Sequence, residues 1–225
     1  MREVALEQGF QTAGESVALS HHLAMSHPDD VPMREIDEVD LLRAQEYDLL
    51  AALLGRAPTR DVLERVAAIK GGPTPIGMAH LALAAAAAEQ DADALQHEFF
   101  ALFIGVGRGE LLPYASYYLT GFLNERPLAR VREDLDLIGV ERAENQYEPE
   151  DHMAILCEIM AGLAAGRFMA EPAAEKRFFV RHIQPWAERF FVDLENAKGA
   201  HFYKSVGALG RLFMEVEAEA FAMDA

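Results

Sequence analysis

The sequence predicts an all-α fold, a single bundle of about nine helices, and three observations carry that reading. No stretch sustains the period-two alternation of a half-buried strand. From residue 40 onward, apolar side chains recur at three- and four-residue spacing. Between these runs stand glycines, prolines and capping residues of the kind that start and stop helices. The chain has 225 residues, 51% of them hydrophobic, enough for a sizeable core.

The elements follow in order. Residues 1–36 are polar and read as a loosely attached acidic extension ahead of a helical domain at 37–225; residues 1–40 hold nine acids against two arginines. His21, His22 and His27 fall in this tail without a Cys or Asp ligand pattern, so they read as solvated and no metal is expected. Leu41, Leu42, Gln45, Leu49, Ala52 and Leu53 share one helical face, ended by Gly55 and Pro58. Thr59 caps a helix carrying Val62, Leu63, Val66 and Ile69. Thr74-Pro75 opens an alanine-rich helix to residue 88, with proline at its first position. Asp91 starts a helix bearing Leu95, Phe99, Leu102 and Phe103, which stops at Gly105. Further helices are expected over 114–123, 127–138, 148–166, 172–183, from Pro185 to 197, and 201–223.

Composition excludes several classes. A net charge of −17 and a pI near 4.8 argue against general nucleic-acid binding and suit a cationic partner. A single cysteine, Cys157, admits no internal disulfide and fits a reducing compartment; set among Ile155, Leu156, Ile159 and Met160, it reads as a packed thiol. The longest apolar run, 81–88, is far short of the ~20 residues that span a bilayer. No signal-peptide core precedes it, so a cytoplasmic protein is expected.

Three clusters stand out. The first, residues 99–118 (FFALFIGVGRGELLPYASYY), places Gly105, Gly107 and Gly109 at alternate positions before Pro113 and Tyr114. It lacks the preceding strand and the Gly-Lys-Ser/Thr of a phosphate loop, and a partner-binding role competes with a plain connector. The second is Glu148-Pro149-Glu150-Asp151-His152. Helix capping accounts for its acids, but His152 would sit in the first helical turn, where a cation is disfavoured. Asp151 and His152 therefore admit an acid/base or metal-dependent hydrolase as a rival reading. Eight acids and one arginine between residues 133 and 151 read as a solvated face, or as a lure for an arginine-bearing peptide. The third is Phe178-Phe179-x-x-His182-x-x-Pro185-Trp186, followed by Phe190 and Phe191. Phe179, Phe190 and Phe191 read as core; Trp186 reads as core or as part of a groove. A third reading is a structural helical adaptor.

In this order the clusters resemble the TorD/DmsD chaperones of redox-enzyme maturation. The matching residues are Phe99-x-x-Leu102-Phe103-x-Gly105-x-Gly107, Pro113-Tyr114-x-Ser116-x-Tyr118, Glu148-Pro149-x-Asp151-His152 and His182-x-x-Pro185-Trp186. The resemblance spans residues 40–220 and departs from the family pattern at Val106, Leu112 and Ala115. It implies an all-helical cytoplasmic chaperone, not an enzyme and without a cofactor. Its partners would be an apo-molybdoenzyme and that client's twin-arginine leader, held until cofactor insertion so that export is delayed. Enzymes of dimethyl sulfoxide, trimethylamine N-oxide, nitrate and formate use such chaperones, and these can exchange elements into a homodimer. Carried over, the peptide-binding groups are Leu112, Tyr114, Ser116, Tyr118, Asp151 and His152; Gly105, Gly107, Pro113, Glu148 and Pro149 would shape the loops.

Overall fold

The computed structural model describes residues 35–141, 147–168, 170–171 and 173–223. Within them ten α-helices follow one another: α1 (Glu38–Gly55), α2 (Arg60–Ala67), α3 (Pro75–Ala88), α4 (Ala92–Phe99), α5 (Ala115–Thr120), α6 (Arg126–Leu137), α7 (Met153–Ala164), α8 (Ala174–Phe178), α9 (Ala187–Asn196) and α10 (Phe202–Met223). α4 runs on into a π-turn at Phe100–Ile104, and α8 into another at Phe179–Ile183. Each wider turn begins inside a Phe-Phe pair. The expected extension at 1–36 falls, apart from residues 35 and 36, outside the described residues.

Local chemistry accounts for most boundaries. Asp37 and Asp40 form a capping box at the start of α1, three residues before the point that the apolar pattern marks. Thr74 caps α3 through its hydroxyl, which accepts from the Gly77 N–H at 3.1 Å. α5 ends at Thr120, not at 123, because Gly121 takes a left-handed conformation, φ 84°, and closes the turn. α7 begins at Met153, later than the acids at 148–151 suggest, because those side chains are engaged elsewhere.

α7 is the centre of the bundle. Eleven of its twelve residues are buried, so it presents apolar surface on every side and must be covered all round. α1 packs along it, while α10 packs on α9 and α3. Phe178, Phe179, Phe190, Phe191, Phe202, Tyr203 and Trp186 are fully enclosed. Burying each such side chain contributes about 1.5–3 kcal/mol before ordering costs. Trp186 belongs to this core; its indole N–H donates to the His182 carbonyl at 2.7 Å. Cys157 lies in the core too, where burial, with Glu158 next in effect, pushes its thiol well up and leaves it inert.

Two ionic sets lie inside this apolar frame. Arg43 on α1 donates through Nε and Nη2 to the two oxygens of Glu217 on α10, each at 2.7 Å, and through Nη2 to Glu175 at 2.6 Å. Tyr47 O–H donates to the same Glu217 at 2.8 Å. The second set joins α6 to the π-turn after α8: Asp134 accepts from Arg181 at 2.8 Å and pairs with His182 at 2.5 Å.

Glu217 is fully buried and supplies two of the carboxylate contacts of Arg43, so removing it leaves that guanidinium to Glu175 and Asp40. Glu217→Ala is expected to lower unfolding free energy by up to about 3–5 kcal/mol. Tyr47→Phe, which removes one hydrogen bond and no charge, should cost about 1 kcal/mol. Denaturant midpoints check both; equal losses would contradict the charge argument.

Candidate functional site

The glycine-rich segment is a folded-back strap, built on the π-turn. The wider turn places Gly105 N–H on the Phe100 carbonyl at 2.7 Å. After the reversal, the N–H groups of Glu110 and Leu111 return to the carbonyls of Ala101 and Leu102, at 3.2 and 2.8 Å. Gly105 adopts φ 63°, and a Cβ there would lie 2.1 Å from the Arg108 carbonyl oxygen. A Cβ on Gly109 would lie 2.5–2.8 Å from the Phe103 and Leu102 backbone. Gly105 is therefore required by conformation as well as by close approach, and Gly109 by close approach.

Two glutamates flanking the strap hold the link between α9 and α10. Glu98 accepts from the N–H groups of His201, Phe202 and Tyr203, at 2.8, 3.3 and 2.9 Å, and so caps α10 from outside. Glu110 accepts from Lys198 and Gly199 N–H at 2.8 and 3.0 Å.

Beyond the strap, the two motif segments meet. Tyr114 and His152 form an antiparallel bridge. Met153 N–H donates to the Pro113 carbonyl at 2.8 Å, and Ala115 N–H to the Asp151 carbonyl at 2.9 Å. The Asp151 carboxylate accepts Ser116 N–H at 2.8 Å, capping α5. His152 is the N-cap of α7, its Nδ1 accepting Ala154 N–H at 3.1 Å. Tyr114 O–H donates to Glu148, and its ring lies edge-on to His152, centroids 5.0 Å apart. The bridge thus caps two helices at once.

The expected peptide-binding residues divide. Leu112 and Tyr118 line an open groove of about 390 Å³ with Arg108, Leu111, Tyr117 and Leu119. Tyr114 is half-buried in the bridge. Ser116, Asp151 and His152 are buried, so none presents itself on the surface as the motif reading has it. Ser116 instead spends its hydroxyl on Glu125 N–H, at 3.2 Å. Pro113, Glu148 and Pro149 belong to the bridge or its approach, and Gly105 and Gly107 to the strap. Trp186, fully enclosed, lies 5.2 Å from the Tyr118 ring, between groove and core.

The remaining expectations for this region change as well. His152 is not in the first helical turn; it precedes it as a neutral cap. Burial pushes its imidazole down to about 4, and neutrality is what lets Nδ1 accept a hydrogen bond. The acidic run is not simply a solvated face. Asp134 and Asp151 are buried on internal partners, and Glu150 accepts from Arg132 at 2.9 Å; residues 142–146 of the run lie outside the described residues. The hydrolase reading loses its footing, because Asp151 Oδ2 and His152 Nδ1 are both committed to backbone N–H donors. The Asp134–His182 pair and the two glutamate caps escape sequence reading, since each joins residues far apart in the chain.

The buried His152 makes stability pH-dependent. Its folded value is depressed, so the unfolded chain binds a proton that the folded one refuses between the ordinary 6.5 and about 4. Stability is full above 6.5 and falls as pH drops toward 4, by about 3 kcal/mol from this group. His152→Asn keeps a capping side chain without the titration. Chemical denaturation at pH 7 and pH 4 should show the wild type losing about 3 kcal/mol more than the variant; parallel losses would refute the assignment. Gly105→Ala is expected to cost at least ~1–3 kcal/mol from its backbone conformation alone, and Gly107→Ala, with open space around it, less.

Comparison with known proteins places this geometry. Residues 70–192 match the family described as nitrate reductase delta subunit, a span that contains all three clusters. The chaperone protein TorD of Vibrio cholerae is 27% identical over 194 residues, covering 81% of this chain and 83% of its own. TorD of Aliivibrio fischeri is 26% identical over 214 residues, covering 84% and 99%. A crystal structure described as a redox enzyme maturation protein from Archaeoglobus fulgidus superposes with a TM-score of 0.54 at 19% identity, covering 81% of this chain and 96% of that one, and so shares the fold. On the family match and the all-helical architecture together, the chain belongs to the nitrate reductase delta subunit family, the family of TorD-type chaperones.

Proposed function

We propose that this protein is a cytoplasmic chaperone of molybdoenzyme maturation, acting by binding and without turnover. It holds the twin-arginine leader of its apo client beside the paired motifs until cofactor is inserted. The observation that carries this reading is the bridge between Tyr114 and His152, which joins the two family motifs and sets α5 against the groove. No helix of the described residues is long and apolar enough to cross a membrane.

Within the proposal the site residues take two roles. Leu112 and Tyr118 are the contact residues, offering apolar and aromatic surface to the leader's apolar stretch. Phe122 and Leu123, exposed just after α5, extend that surface. Tyr114, Ser116, Asp151 and His152 are positioning residues that fix the start of α5 and hence the direction of Tyr117 and Tyr118.

A synthetic twin-arginine leader from a molybdoenzyme of the same genome, titrated into the full chain by calorimetry, tests the proposal. Binding is expected, with Leu112→Ala and Tyr118→Ala each weakening it about ten- to a hundredfold, the equivalent of one large apolar side chain. A folded protein that binds no such leader, and captures no twin-arginine precursor from its own cells, would overturn the reading.

A further inference from the structure

Two successive tyrosines of α5 each carry one of the protein's own guanidinium groups. Arg108, from the glycine strap, lies over the Tyr117 ring at 5.2 Å and donates to its hydroxyl at 2.8 Å. Arg189, from α9, lies over the Tyr118 ring at 4.9 Å and donates to the Tyr118 carbonyl. Tyr118 in turn donates its hydroxyl to Asp193 at 3.0 Å. The two rings stand 6.0 Å apart, centre to centre. Arg108 and Arg189 are eighty-one positions apart in the chain, yet each lies over one of two neighbouring rings.

Both arginines are exposed, and exposed cation–ring contacts are weak enough to exchange with a competitor. The charged groups lining the groove balance as it stands, Arg108 and Arg189 against Glu110 and Asp193. A peptide adding two positive charges to that set gains nothing from it. Were the two resident side chains to swing out, the Asp193 carboxylate, the Glu110 carboxylate alongside its bonds to the Lys198 and Gly199 N–H groups, and two aromatic faces would remain. That is a platform for planar cations, which stack and hydrogen-bond in a way an ammonium does not. Adjacent residues of a peptide have Cα atoms ~3.8 Å apart, so two neighbouring arginine side chains can reach both rings.

We infer that Tyr117, Tyr118, Glu110 and Asp193 form a subsite for a pair of guanidinium groups, which Arg108 and Arg189 fill until a guest's arginine pair displaces them. The inference rests on the proposed function for the identity of the guest, a twin-arginine leader. The subsite itself is a matter of this chain's own chemistry. It makes the resident arginines competitors, so their loss strengthens binding, opposite in sign to what removing ordinary contact residues does.

The test uses the full chain and two probes, the synthetic leader and arginyl-arginine amide, each beside its lysine-for-arginine version. Trp186 fluorescence, sensitive through the adjoining Tyr118 ring, reports binding. Arg108→Ala with Arg189→Ala is expected to tighten both arginine probes about tenfold. Arg108→Lys with Arg189→Lys keeps the charge and loses the stacked fork, and should still tighten them several-fold, with little gain for the lysine probes. Asp193→Asn should weaken the arginine probes. Unchanged affinity in the double lysine variant would reduce the effect to bulk charge and overturn the subsite. Equal binding of the arginine and lysine leaders would overturn it as well, while leaving the chaperone reading intact. A leader that fails to bind beside a dipeptide that binds with the expected pattern would sink the chaperone reading and keep the subsite.

Discussion

The site depends on a pairing of two residues with two. Each helix begins with N–H groups that its own turns cannot satisfy. Here the start of α5 and the start of α7 meet and supply one another. Asp151 offers both its carbonyl and its carboxylate to Ala115 and Ser116, while Pro113 offers its carbonyl to Met153 and His152 completes the α7 cap. Two motifs that look like separate recognition signals are reciprocal halves of one joint. Because α7 is enclosed on nearly every side, the joint also ties the groove-bearing helix to the core.

That joint explains why neutral and charged groups are sorted as they are. A cationic imidazole at the N-terminus of α7 would oppose the helix dipole and could not accept from Ala154. Burial keeps it uncharged, so the same environment that makes protonation costly makes the cap usable. Tyr114 follows the same logic. Burial, reinforced by its bond to Glu148, raises its hydroxyl and keeps it a donor. A separate ionic clasp, Arg43 with Glu217, joins α1 to α10.

Much of this was legible in the sequence, where the determinants are local. The Thr74-Pro75 start, the stop at Gly105 and the apolar face of α4 follow from neighbouring residues, and the structure has them, whereas Leu41, Leu42 and Gln45 of the expected α1 face are exposed. What escaped was long-range. Nothing near Asp151 announces that it serves Ser116, thirty-five positions away, so its acid neighbours looked like caps of their own helix. α7 starts five residues later than that acid run suggests. The π-turns left no period to read, although each begins at a Phe-Phe pair. Of the site, the participating segments were legible, but not which side chains face the groove and which hold the backbone.

The cap that Glu98 places on α10 bears on how the molecule comes into being. α10 follows the other nine α-helices of the described residues in the chain, and its first turn is secured by a side chain from α4, about a hundred residues earlier. It brings Tyr203 against Phe99 and Phe103, and packs along α9 and α3. Until residues 202–223 have left the ribosome, those aromatic faces stand open. A nascent copy of this chaperone therefore passes through a stage in which it has the exposed surface of a client, and it becomes a holder of other chains only once α10 has closed over it.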